Sequence, residues 1–183
     1  MKLPAQYQWL PKLRGLPNTI RLALAEYGTA EVIGNGSSRT ILAWRDELNQ
    51  AGVKISGYSD DSIPWCGLFA AIVCYRRQKR ASEVPVSPLW ARNWENYGVK
   101  SPQAGLGDIL VFQRGSGGHV GFYAAEDADA YHVLGGNQSD AVTIARVAKA
   151  RLLAARRPPY NSKPQAVRPY HVAASGVLST NEA

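Results

Sequence analysis

The stretch that most constrains this chain is Ser62-Ile63-Pro64-Trp65-Cys66-Gly67-Leu68-Phe69-Ala70-Ala71-Ile72-Val73. Trp65, Leu68, Phe69, Ile72 and Val73 fall at i, i+3, i+4, i+7 and i+8, the spacing of one helical face. Ser62 is an N-cap residue type and Pro64 suits a helix start. Cys66 is therefore expected in the first turn of a buried helix. There the unpaired N–H groups and the helix dipole favour an anion, and a thiol so placed tends toward thiolate, the nucleophilic form. The rest of the chain is read as built around this sulfur.

At 183 residues the chain has the length of one domain with its own core. No apolar run is long enough to span a membrane. The start, Met1-Lys2-Leu3-Pro4-Ala5-Gln6, leads into no apolar signal segment, so synthesis in the cytoplasm without a signal peptide is expected. A net charge of +7 suits a polyanionic partner. No zinc-finger spacing or RNA-binding motif points to nucleic acid. Cys66 and Cys74 lie eight positions apart on one expected helix, roughly 12 Å at ~1.5 Å per residue. That is too far for a disulfide, so both are expected as free thiols.

The organisation reads as an arm over residues 1–16, a domain over 17–158 and a proline-punctuated tail over 159–183. Helices are expected from Thr19 to Tyr27, from Ser38 to Ala51, through the Cys66 segment to Lys79, and from Ser87-Pro88 to Gly98. The last carries Trp90, Trp94 and Tyr97 on one side. Gly34 and Gly36 lack the following GK[ST] of a phosphate loop. Asp60-Asp61 lacks the oxygen count of a calcium site. The basic run Arg76-Arg77-Gln78-Lys79-Arg80 suits a helix C-terminus, or recognition of an anionic polymer.

After residue 100 the period changes to that of strands: Ile109–Phe112, His119–Tyr123, Tyr131–Leu134, Val142–Ala145 and Arg151–Ala154. Helices followed by about five strands in an antiparallel meander is an α+β layout.

A nucleophilic cysteine needs a base within reach, and the base needs a group to orient it. His171 lies in the tail. His119 opens a strand after Gly117-Gly118, where an imidazole can face a cleft. Asn137, after Gly135-Gly136, can accept from His119; His132, one strand over, is the rival, with Asp108 and Glu126 as further options. Cys66, His119 and His132 could also supply a three-ligand set for zinc, the reading of a zinc amidase. No distinct carboxylate pair of the kind glycoside hydrolysis uses stands out.

Pro64-Trp65-Cys66, Gly107-Asp108-Ile109-Leu110-Val111-Phe112, Gly118-His119-Val120-Gly121-Phe122-Tyr123 and Val133-Leu134-Gly135-Gly136-Asn137-Gln138, in this order, resemble the CHAP branch of the NlpC/P60 cysteine peptidases. The likeness is nearest to single-domain phage and prophage lysis proteins and covers roughly residues 7–158. It implies a papain-like fold, N-terminal helices packed on a roughly five-stranded antiparallel sheet, and cleavage of an amide bond in peptidoglycan, as an N-acetylmuramoyl-L-alanine amidase or a peptide endopeptidase. Carried over, Cys66 is the nucleophile, His119 the base and Asn137 the orienting group; NlpC/P60 relatives with a histidine earlier on that strand would select His132. The amide of Cys66 is the expected oxyanion donor. No cofactor or metal is implied. The implied partner is peptidoglycan, met by a monomer without membrane insertion, at the wall or periplasm after release from the cytoplasm. A delivered antibacterial toxin of the same chemistry and a catalytically silent wall-binding module are the alternatives.

Overall fold

Helix α3 (Cys66–Gln78) is the buried axis of the computed structural model, which describes residues 2–174 and 176–180. Every residue from Cys66 to Cys74 is buried. A helix apolar all round must be covered on all sides. Helices α1 (Asn18–Ala25) and α2 (Arg39–Gln50) and the sheet each pack on α3. Trp44 and Phe69 meet at 5.7 Å between ring centroids, and Phe69 and Phe122 at 6.1 Å. The basic end of α3 is taken up in ion pairs. Arg76 bonds Glu26 and Glu47, Lys79 bonds Glu47, and Arg77 bonds Glu83. Arg76 thereby ties α3 to α2 and to the residue that ends α1, which accounts for this part of the run without a polymer partner.

The protein is α+β, with six antiparallel strands among the described residues: β1 (Val99–Lys100), β2 (Ile109–Arg114), β3 (Gly117–Glu126), β4 (Ala130–Gly135), β5 (Thr143–Ala148) and β6 (Leu152–Arg157). Their order is β1-β6-β2-β3-β4-β5. Two features differ from the five-strand meander expected. The short β1 is added, and the last strand returns beside β2 instead of following β5. A buried ion pair holds that return: Asp108 is fully buried and accepts from Arg157 at 2.9 and 2.7 Å, from Ser101 Oγ at 2.7 Å and from the Gly105 N–H at 2.9 Å. Asp108 is thus a structural carboxylate closing the turn before β2 onto β6. Val120, Phe122 and Ala124 face the helices, while Tyr123 joins Leu110, Phe112, Val133 and Val147 on the other face.

The helix expected over residues 87–98 is a short 3-10 helix, Ala91–Asn96. Ser87 has φ 50°, outside helical space, so it cannot open one. Trp94 is buried beside Tyr97, whereas Trp90 is 55% exposed. The N-terminal arm forms two 3-10 turns, Ala5–Tyr7 and Leu10–Lys12, that bury Tyr7 and Leu10. Residues 159–174 and 176–180 run back over the domain. Tyr170 stacks on Trp9 at 4.9 Å, the Val172 N–H bonds Glu126 O, and the Ser179 N–H bonds Arg146 O. Met1, Ser175 and residues 181–183, the last part of the expected tail, lie outside the described residues.

Candidate active site

Cys66 is the first residue of α3. The helix starts later than Ser62 and Pro64 suggested, because the backbone N–H and hydroxyl of Ser62 both turn back to Asp60. Trp65 occupies the N-cap position without a side-chain cap. Its indole donates to Glu31 at 2.7 Å instead. Neighbouring Asp61 accepts from the N–H groups of Val32 and Ser38, so it fixes the loop between them.

Two glycines let the helix start come close to its neighbours. A Cβ on Gly67 would lie 2.2 Å from Pro88 O and 2.7 Å from Leu89 O. One on Gly136 would lie 2.6 Å from both Phe69 Cβ and the Trp65 ring. The first contact brings the loop carrying Trp90 against α3. The second brings the end of β4 there.

Strand β3 extends beyond its pairing with β4 over residues 117–121. Helix α3 packs on β3, and Cys66 lies near enough to this overhang for the backbone N–H of Val120, the residue after His119, to favour its thiolate. Burial pushes the Cys66 thiol above the ordinary cysteine value. The N–H of Val120, the charge of Arg114 and the N–H groups of Gly67 and Cys66 itself pull the other way without overcoming it. The expected thiolate is therefore corrected: a cysteine only 3% exposed has lost too much solvation for helix-start N–H groups to ionise it at rest.

His119 is fully buried, opposite Phe112 in the β2–β3 register. Its Nε2 lies 3.0 Å from Gln138 Oε1. The NH2 of Gln138 donates to Val133 O at 3.1 Å and Thr143 O at 2.7 Å. That orients the amide with its oxygen toward the ring, so Nε2 carries the proton and donates it to Gln138. The tautomer so fixed leaves the lone pair on Nδ1.

The orienting group on Nε2 is thus Gln138, one residue beyond Asn137. Asn137 is buried with φ 57°. This left-handed residue turns the chain after Gly135-Gly136 so that the next side chain projects back to His119. Gly135 leaves room for this contact: a Cβ there would lie 2.9 Å from Gln138 Oε1 and 3.3 Å from His119 Nε2. Gly135→Ala is expected to push the amide off the imidazole and to lower turnover by about 10-fold, the order of a lost positioning contact. Steady-state rates beside an unchanged melting curve would check it.

His132 belongs to another network. Its Nδ1 accepts from Tyr7 OH at 2.5 Å and its Nε2 donates to Asp127 Oδ2 at 2.8 Å. Asp127 also accepts from Arg146 Nε at 2.7 Å. With both ring nitrogens engaged there, His132 neither orients His119 nor joins Cys66. Among the described residues, no cluster of three or more His, Cys, Asp or Glu side chains is placed to hold a metal ion. Glu126 pairs with Lys149. Cys74 is a buried free thiol, pushed up to about 12 by burial, and forms no disulfide with Cys66.

A groove of about 570 Å³ borders the helix start, lined by residues that include Ile63, Pro64, Pro88, Leu89 and Trp90. Its wall is mostly apolar, with Lys54, Ser56 and Ser87 among the lining residues, and Trp90 offers a ring face. Comparison with protein-family models, curated proteins and solved structures finds no match.

Proposed function

We propose that the protein is a thiol amidase with a papain-like catalytic core of the NlpC/P60 (CHAP) type, cleaving an amide bond of peptidoglycan. One observation carries the reading. A helix-start cysteine abuts the backbone next to a buried histidine whose tautomer is fixed by a glutamine. These are the nucleophile, base and orienting group of thiol-based acyl transfer. The basic charge favours approach to an anionic wall.

The chemistry starts from the protonated Cys66 thiol and the His119 tautomer set by Gln138. As the Cys66 sulfur attacks the carbonyl carbon, its proton passes to His119 Nδ1, an S–C bond forms and the carbonyl π pair moves onto oxygen. The imidazolium that forms keeps its Nε2–H on Gln138. The backbone N–H of Cys66, at the unpaired end of α3, is placed to receive the oxyanion. Collapse breaks the C–N bond as Nδ1 returns its proton to the leaving amine. Water then adds to the thioester, giving a proton to Nδ1. Cleavage of the C–S bond releases the acid and restores the thiol. Phage-type lysis of a host is the setting this chemistry and charge suit best.

Digestion of purified peptidoglycan, with mass spectrometry of the soluble products, tests the proposal. The native protein is expected to release fragments whose new amine and carboxyl termini identify the bond, equally well in a chelator. Protein alkylated at Cys66 is expected to release none. Binding to the wall without cleavage would overturn the hydrolase reading in favour of a binding module.

A further inference from the structure

Arg114 ends β2 at the hairpin beside the site. The register pairs Phe112 with His119 and Arg114 with Gly117, so strand alternation places Arg114 on the same sheet face as His119. Opposite it, Gly117 presents no side chain, and the Cβ position there is 3.9 Å from the exposed ring of Trp90. Arg114 is half-buried, and its Nη1 is wholly buried without a hydrogen-bond partner. That differs from its neighbour Arg92, which is engaged by Glu95 and Gln113. A buried guanidinium N–H left unbonded is costly, and its natural complement is a carboxylate, taken in bidentate geometry. The charge of Arg114 is also felt at Cys66, where it favours the thiolate.

We infer that Arg114 is a specificity residue that holds a substrate carboxylate beside Cys66 and His119, selecting amides whose flanking residue carries a free carboxyl group. This rests on the reading of Cys66 as the nucleophile and names the substrate class that nucleophile takes. The stem peptides of a cell wall carry such carboxylates, whereas a neutral amide would leave the guanidinium unpaired.

Alkylation of Cys66 tests this without requiring any hydrolytic activity. Iodoacetate and iodoacetamide both form an S–C bond at Cys66 and expel iodide, but only the first brings a carboxylate. At one mildly alkaline pH, with modification of the Cys66 peptide followed by mass spectrometry, the iodoacetate-to-iodoacetamide rate ratio is expected to exceed that of glutathione by about 10-fold, the worth of one charge-assisted contact. Arg114→Gln is expected to bring the ratio down to that of glutathione; any slowing through the lost charge at Cys66 falls on both reagents alike and cancels in the ratio. Arg114→Lys, which keeps charge and bulk if the glutamine variant folds poorly, is expected to retain part of the preference. Equal loss with both reagents would mean that Arg114 acts only on the thiolate, and an unchanged ratio would mean that it meets no anion; either overturns the inference. A matched pair of peptides bearing a flanking carboxylate or carboxamide then separates the two proposals. Cleavage of neither, with the alkylation preference intact, would fault the hydrolase reading and leave the anion site standing.

Discussion

Cys66→Ala is expected to abolish release of peptidoglycan fragments, and His119→Ala to lower it by about 10³-fold or more, the scale on which nucleophile and base act as one unit. Removing the sulfur leaves no atom to form the acyl intermediate. Removing the imidazole leaves a thiol that burial holds protonated, with nothing to take its proton. The loss at His119 is therefore expected to be deeper than for a cysteine already ionised in water. Gln138→Ala is expected to cost about 10–100-fold, because the ring keeps its position in β3 but loses the bond that fixes its tautomer. Asn137→Gly, which preserves the left-handed backbone, is expected to cost much less. Single-turnover rates for the four variants, with circular dichroism to show retained folding, give the order Cys66, His119, Gln138, Asn137. Equal loss at Asn137 and Gln138 would count against the assignment of Gln138.

Asp127→Ala is the substitution expected to cost most in stability, on the order of 3 kcal/mol, since it leaves buried partners without their carboxylate. For a chain of this length that is about 6–12 °C in melting temperature. Asp127 gathers the His132 Nε2–H, Arg146 and the N–H groups of Asp129 and Ala130, and through His132 it reaches Tyr7. The same cluster sets an acid limit. Burial holds His132 below its ordinary pKa despite Asp127. Unfolded chains take up that proton near pH ~6.5 while the folded protein resists it, so stability present above that pH falls as the medium is acidified through it. Arg146 first, and then His132 and the turn amides, hold Asp127 far below the usual carboxylate range. Its contribution is retained to lower pH and is lost only below about pH 4, where unfolded aspartates protonate. Melting temperatures from pH 7 to pH 3 are expected to fall in two stages, and His132→Gln is expected to flatten the first.

Much of the α+β layout was legible because it follows from local pattern. The apolar period of α3 and the alternation of β2 and β3 are properties of neighbouring residues, and Cys66 and His119 stand at the ends of those elements. What escaped depends on distance in the chain. Asp108 reads as a solvated turn acid until Arg157 is brought to it by β6. The Ser87-Pro88 signal for a helix was overridden by the packing of residues 88–89 on Gly67. His132 was a rival for the site because sequence cannot show that Tyr7 and Asp127 engage both its nitrogens. The choice between Asn137 and Gln138 turned on one backbone angle, since two adjacent amides look alike until the chain direction between them is known.

Strand β5 ends the sheet, and its outer side would otherwise present free backbone donors and acceptors to any passing strand. The Ser179 N–H on Arg146 O, with Arg146 reaching Gly176 O, covers part of that border. The returning segment therefore acts as a guard against self-association as well as a strap on the domain. A proteolytic nick ahead of it would be felt as aggregation on concentration.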